Sequence, residues 1–295
     1  MKILIFSQKY KEEDQPYLEE LISSLEKYKN EIYIFSTYNK QLVENKLHFD
    51  IQGEVKDNAE LKKVSPDLVI TLGGDGTVLS VIDLVRDSGI PVLGINLGRL
   101  GFLSSVEKTK ISTAVEGLMK GHFYTEDRAL LELCCENYPL FTSLPYALND
   151  FTLHKRDTSS MITIHTYVDG KFLNSYWADG LVVSTPTGST GYSLSCGGPI
   201  IFPNSGNIVI TPVAPHNLNV RPIVLSDTNK ISFEIEGRSE NFLCTLDSRY
   251  ETVTSEHLIS IKKADFKIRL AHPNDINFMK RIRGKLMWGT DKRNH

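Results

Sequence analysis

The sequence predicts an α/β N-terminal domain with a parallel sheet, followed by a mainly antiparallel β-rich C-terminal domain, with a C-terminal helix returning to the first. Three observations carry that expectation. Over residues 1–125, apolar strand-like runs alternate with stretches of helical period, as in strands joined by crossover helices. From Leu130 onward, short strand-like runs succeed one another with few helical stretches between them, the pattern of an antiparallel domain. Finally, Asn274–Trp288 repeats Ile276, Met279, Ile282 and Leu286 at helical spacing, an apolar face suited to docking. The expected domains are 1–125 joined by 271–295, and 126–270.

Taken in order, Lys2–Ser7 reads as a buried first strand. Leu18, Leu21, Ile22, Leu25 and Tyr28 place a helix over Asp14–Tyr28, and Glu31–Ser36 returns to strand. Asn39–Val64 is less regular and reads as containing a loop. Asp67–Leu72 is a strand, Val78 to Val85 lies on a helix that Gly89 ends, and Pro91–Asn96 is the next strand. Lys110–Gly121 reads as a helix and Gly121–Arg128 as a connection. The strands expected beyond are Leu130–Cys135, Met161–Val168, Lys171–Tyr176, Leu181–Ser184, Asn207–Val213, Lys230–Glu236, Asn241–Leu246, Leu258–Lys262 and Phe266–Leu270. Asp169-Gly170 between two of them is a hairpin signal.

A chain of 295 residues, 41% apolar and 23% charged, has the composition of a globular protein with room for two domains. Its net charge of −3 argues against a nucleic-acid partner, which calls for a basic excess. The apolar run at Met1–Phe6 is too short for a signal peptide, and no run has the length to cross a bilayer. No membrane partner and a cytoplasmic location are therefore expected. Cys134 and Cys135 are adjacent, Cys196 and Cys244 isolated, and no Cys-x-x-Cys occurs; neither a zinc site nor a disulfide framework is indicated.

The first chemical signal is Thr71-Leu72-Gly73-Gly74-Asp75-Gly76-Thr77, between a strand and a helix. Glycines let backbone approach a ligand and take positive φ. The helix start then offers free amides and a favourable dipole to a phosphate. Asp75 would repel that phosphate, so it should bind a metal or take a proton from a hydroxyl; an acid capping the helix is the structural alternative. The turn is not a P-loop, which requires Gly-Lys-Ser/Thr. It and Asn96–Phe102 both leave strands at the carboxyl edge, where ligands collect, and should face one cleft.

The second signal is Asp179–Pro199, an apolar strand running into a loop crowded with hydroxyls and glycines. Such a loop suits the ribose, amide and base edges of a nucleotide. Asp179 fits a ligand contact or a turn cap. Asn149-Asp150 fits both hydroxyls of a ribose or an Asx turn. His154-Lys155-Arg156 fits phosphates or a solvated loop. His216 reads as structural, no histidine has metal-ligand spacing, and Gly188-Ser189-Thr190-Gly191 is one residue short of a hydrolase elbow.

Assembled, these blocks resemble the NAD kinases (ATP-NAD kinases). Gly73–Thr77 resembles the signature that family shares with diacylglycerol kinases and phosphofructokinases. Asn96–Leu103, Asn149-Asp150, Asp179–Pro199 and Pro212–Pro222 match further blocks in the family's order. The resemblance implies transfer of the ATP γ-phosphoryl group to the adenosine 2′-hydroxyl of NAD, with Mg²⁺ or a similar ion, by a homodimer or homotetramer. It implies that Asp75 is the base, that Asn149 and Asp150 hold ribose hydroxyls, and that Phe102 packs near the adenine. Asp179, Thr190, Tyr192 and Ser195 would hold the nicotinamide and adenine parts, with Ala214 lining the pocket. Thr187, Gly191, Ser193 and Leu194 of the same loop, and Gly76, join the NAD-binding candidates; Gly73, Gly74, Gly76 and Thr77 form the phosphate loop. The chain departs from the family in Asp150 for a common Glu, Gly191 for a usual Ala, Trp177 for a basic residue, and Asp247-Ser248-Arg249 for Asp-Gly-Gln. A lipid or sugar kinase sharing only the first motif, and a nucleotide-sensing module, are the rival readings.

Overall fold

The structure, a computed structural model, describes residues 1–98, 101–157 and 160–289. The chain forms two compact units, 1–127 with 268–295, and 128–267.

In the first unit the order is β1 (Lys2–Phe6), α1 (Gln15–Glu26), β2 (Glu31–Phe35), α2 (Ser36–Glu44), β3 (Gly53–Val55), α3 (Asn58–Val64), β4 (Leu68–Leu72), α4 (Asp75–Val85), β5 (Val92–Asn96), β6 (Val106–Glu107) and α5 (Ile111–Met119). The strands pair in parallel in the order β3-β2-β1-β4-β5-β6. All five residues of β4 and of β5 are buried, as strands covered on both faces must be. Ile3, Ile5, Ile32, Ile34, Ile70 and Ile95 pack with Leu18, Leu21 and Leu25 of α1 and Ile111 and Val115 of α5.

Asn39–Val64 contains the expected loop, at 45–52, but also holds most of α2, β3 and all of α3, which were not expected. The apolar signal was thin, since α2 buries only Tyr38 and Leu42 and α3 only Leu61. The start of α3 is instead set by capping: Asp57 accepts from the Glu60 amide at 2.9 Å and Glu60 accepts from the Lys56 amide at 2.9 Å. Likewise, the expected connection before Arg128 is already strand, because β7 spans Phe123–Cys135.

The second unit continues from β7 with β8 (Tyr146–Ala147), β9 (Asp150–Lys155), β10 (Ile162–Val168), β11 (Lys171–Ala178), β12 (Gly180–Ser184), the single turn α6 (Tyr192–Ser195), β13 (Asn207–Val213), β14 (Ile223–Ser226), β15 (Ile231–Glu236), β16 (Phe242–Leu246), β17 (Arg249–Val253) and β18 (Ile259–Pro273). One antiparallel sheet runs β14-β13-β12-β9-β16-β17. In the other, β15 joins β10-β11 to the first part of β18. Phe151 and Phe233, one from each sheet, stack with centroids 5.2 Å apart inside a shared core. The β10–β11 hairpin turns on Asp169 (φ 49°) and Gly170 (φ 75°), as the Asp-Gly pair predicted. The two strands expected at 258–262 and 266–270 are one, β18. Short β8, β9, β14 and β17 were not anticipated.

Back in the first unit, the last part of β18 pairs with β5, and α7 (Phe278–Leu286) follows, capped by Asn277. Its buried face is the expected one only in part, with Ile282 buried and Ile276 and Leu286 half-buried. Met279 is 54% exposed, whereas Arg281 is 2% exposed beside buried Ile282. Arg281 reaches Glu126 at 3.2 Å and the Phe102 carbonyl at 3.3 Å.

Candidate functional site

In the first unit, β4 delivers the glycine turn to the carboxyl edge of the sheet. Ser7 donates to the Leu72 carbonyl at 2.9 Å and the Gly73 amide donates to the Ile95 carbonyl at 3.0 Å, which fixes where the turn leaves. Gly73 has φ 149°, and a Cβ there would fall 2.1 Å from Thr77 Oγ1, so only glycine fits. Gly74 then caps α4. Around a Cβ on Gly74 or Gly76 there is open space, which leaves room for a ligand at the helix start.

Asp75 has a second partner set that sequence reasoning missed. Its Oδ2 accepts from the Phe102 amide at 2.7 Å, and its Oδ1 from the Leu103 and Ser104 amides at 3.0 Å each. A carboxylate has about four acceptor sites, so one is left for a ligand hydroxyl. The three amides also offset the charge that would otherwise repel a phosphate. The approach is close enough that a Cβ on Gly101 would lie 1.9 Å from Asp75 Oδ1. The two blocks expected to share a cleft do so: a cavity of about 360 Å³ is lined by Gly73, Gly74, Thr77, Asn96 and Gly98. Arg99 and Leu100 of the second block lie outside the described residues. Lys9 and Lys11 line the same cavity. They were missed, although their position just past the end of β1 was the available signal.

In the second unit, Asp150 opens β9, and the corner that leads into the strand carries Asn149. Thr185 binds it from the hydroxyl-rich loop, donating its hydroxyl to the Leu148 carbonyl at 2.6 Å and its amide to the Asn149 carbonyl at 2.9 Å. A Cβ on Gly188 would sit 2.0 Å from the Asn149 carbonyl oxygen, and one on Gly191 3.7 Å from Asn149 Nδ2 and 3.8 Å from Asp150 Oδ2. The loop therefore crosses directly over the pair. Asp150 is 7% exposed. Burial first, and the neighbouring Asp247 carboxylate second, push its carboxyl up to about 7.

The other candidates divide into those facing outward and those enclosed. Tyr192 is 41% exposed and Ser195 is exposed. The Tyr192 hydroxyl is raised by burial, by Cys196, and by the charges of Asp150 and Asp179, so it shares their surroundings. Thr190 donates to the Thr187 carbonyl at 3.1 Å, Leu194 is half-buried, and Ala214 is exposed at φ 44°. Thr187 and Ser193 are buried; the former meets Arg128 Nη1 at 3.3 Å and the latter shares a hydrogen bond with Thr211 at 2.8 Å. They shape the loop from beneath. Lys155 lies at the end of β9, not in a loop, and pairs with Asp179 at 2.5 Å. Exposed Trp177 packs against His216, with tilted rings 4.1 Å apart between centroids, which agrees with a structural reading of that histidine. No cluster of three or more His, Cys, Asp or Glu ready to hold a metal occurs among the described residues.

Comparison with known proteins adds independent support. The family model for the ATP-NAD kinase N-terminal domain matches residues 3–123, and that for the ATP-NAD kinase C-terminal domain matches 148–272. An NAD kinase of Cytophaga hutchinsonii is 48% identical, covering 97% of either chain. One of Flavobacterium psychrophilum is 45% identical over 100% of both. Among solved structures, yeast NADH kinase complexed with NADH superposes with a TM-score of 0.85 at 22% identity, covering 100% of this chain and 89% of that one. The Archaeoglobus fulgidus NAD kinase in complex with ATP gives 0.71 at 23% identity, covering 97% and 96%. Both show the fold.

Proposed function

The chain belongs to the NAD kinase family, and on that premise we propose that it transfers the γ-phosphoryl group of ATP to the 2′-hydroxyl of the adenosine ribose of NAD, giving NADP. The observation that most supports this reading beyond the family is the crossing of the 185–195 loop over Asn149 and Asp150, with Gly188 against the Asn149 carbonyl. A lipid or sugar kinase built on the glycine turn alone has no use for it.

Phosphoryl transfer asks mainly for alignment and charge neutralisation. On this reading the amides after Gly73, with Lys9 and Lys11, receive the donor phosphates. Asn149 and Asp150 hold ribose hydroxyls, while Asp179, Thr190, Tyr192, Ser195 and Ala214 border the rest of the dinucleotide, with Phe102 near the adenine. The 2′-oxygen forms a bond to the γ-phosphorus, the bond from that phosphorus to the β–γ bridging oxygen breaks, ADP leaves, and the hydroxyl proton passes to the remaining acceptor site of Asp75. A magnesium ion keeps several waters and takes only one or two carboxylates besides phosphates. Glu13 and Asp14, which line the donor cavity, fit that need, and the ion would neutralise phosphate charge there. Self-association as a homodimer or homotetramer, and a cytoplasmic location, belong to the same proposal. No helix among the described residues is long and apolar enough to cross a membrane.

The test is to incubate purified protein with ATP, Mg²⁺ and NAD and assay NADP with an NADP-specific dehydrogenase. NADH, diacylglycerol and fructose 6-phosphate run in parallel. NADP formation is expected; its absence, or preferential phosphorylation of the lipid or sugar, refutes the reading.

A further inference from the structure

Asp75 has a counterpart in the second unit. Asp247, in the turn between β16 and β17, also gathers three consecutive amides, those of Leu148 at 2.9 Å, Asn149 at 2.8 Å and Asp150 at 3.1 Å. The tie runs both ways, since the Asp247 amide donates to the Asp150 carbonyl at 2.9 Å. Asp247 itself has φ 53°, the left-handed conformation that aspartate also takes at Asp169 in the β10–β11 hairpin turn. Two residues on, the Arg249 guanidinium donates to the Leu144 and Tyr146 carbonyls, pinning the chain that leads into the same corner.

We propose that Asp247 is the positioning residue of the acceptor pair: its carboxylate sets the backbone of Leu148–Asp150, and its charge governs which protonation state Asp150 offers to a ligand hydroxyl. The proposal rests on the reading that Asn149 and Asp150 bind ribose. The groups that act on Asp150 come from each element around it. Asp247 faces it from the β16–β17 turn, with Arg249 behind; Tyr192 and Cys196 interact with it from the loop and α6; Thr152 lies 3.5 Å away on its own strand. Of these, only Asp247 places a negative charge against it. Burial raises the Asp247 carboxyl while its three amides and Arg249 oppose the rise. Three amides stabilise the ionised form of Asp247, whereas the carboxyl of Asp150 accepts only from Thr152 at 3.5 Å, so the charge of the pair is better accommodated on Asp247. The proton of the pair therefore resides on Asp150, whose carboxyl donates to a ribose oxygen when protonated and accepts from a ribose hydroxyl when not. Asp247 touches no ligand in this scheme; it acts through its neighbour.

The experiment measures the NAD dissociation constant of the full chain by calorimetry from pH 5.5 to 9, with steady-state KM for NAD and ATP alongside, for the wild type, Asp247→Asn, Asp247→Glu, Asp150→Asn and Asn149→Ala. Wild-type NAD affinity is expected to change across an inflection near neutral pH. In Asp247→Asn the inflection should fall by about one pH unit or more, as loss of a contacting like charge requires, with the KM for ATP within about twofold. Asp247→Glu, which keeps the charge, should retain the inflection near its wild-type position even if affinity drops. In Asp150→Asn the inflection should vanish. A uniform loss of NAD affinity in Asp247→Asn with the inflection unmoved would reduce Asp247 to a structural residue and overturn the proposal. If Asp247→Asn does not fold, persistence of the inflection in Asp150→Asn overturns it equally. Unchanged NAD affinity at every pH in Asn149→Ala would instead sink the ribose reading itself, a separate failure.

Discussion

Replacing Asp150 by Asn should make the protein more stable at neutral and alkaline pH while weakening its grip on NAD. The folded Asp150 carboxyl is pushed up to about 7 by burial and by Asp247, whereas in the unfolded chain it titrates at about 3.9. Well below pH 4 both states hold the proton and the group costs nothing. As pH rises towards 7 the unfolded state sheds its proton first, native stability declines, and above 7 the full cost remains. Each pKa unit corresponds to about 1.4 kcal/mol, so three units set a ceiling of about 4 kcal/mol at pH 8. Asp150 is only 7% exposed, so solvent screening removes little of this, and the hydrogen bond its carboxylate accepts from Thr152, at 3.5 Å, is weak. Asn has the same shape and no charge to bury, so the expected gain is about 2–4 kcal/mol at pH 8, fading to near zero at pH 4. Urea unfolding of both proteins at the two pH values reads it directly. A variant that is no more stable than the wild type at pH 8, or that gains equally at both pH values, would refute the reasoning.

Three further outcomes follow from the donor side. Asp75→Asn should lower kcat by about 10²–10⁴, the range for a positioned base, while circular dichroism shows the fold retained; an unchanged kcat removes Asp75 from that role. Lys9→Ala and Lys11→Ala should each raise the KM for ATP several-fold and leave that for NAD within about twofold, because a lost phosphate contact acts on one substrate only. A matching rise in both would show that the lysines merely support the fold. Gly101→Ala forces a methyl to 1.9 Å from Asp75 Oδ1, so activity should fall at least as far as in Asp75→Asn; wild-type turnover in this variant would mean that the 101–104 segment is free to move away.

Much of the fold was legible because burial follows simple periods. Leu68–Leu72 is apolar or Thr throughout and is buried at every residue, and Ile231–Glu236 alternates strictly between inside and outside. Where local signals were short, reading failed: α3 has seven residues and one buried side chain, and its capping acids outweigh its apolar content. Arg281 shows a different limit. A helical wheel assigns arginine to solvent, and it is the positions of Glu126, the Phe102 carbonyl and His272 that make its burial tolerable. The glycine turn and the hydroxyl-rich loop stood out in composition. The partners of Asp75 and Asp247 did not, since they are backbone amides 27–29 and 97–99 residues away in sequence.

The amide clasps on these two aspartates have a consequence for how such a sequence can drift. Main-chain nitrogens look alike whatever residue bears them, so positions 103, 104 and 148 are free to exchange their side chains as far as the clasp is concerned, proline alone being barred for want of a hydrogen. The rigid vocabulary shrinks to the two acids and to Gly101 and Gly188, where added bulk has nowhere to go. Related chains that keep those four letters can rewrite much of the surrounding text without disturbing either clasp.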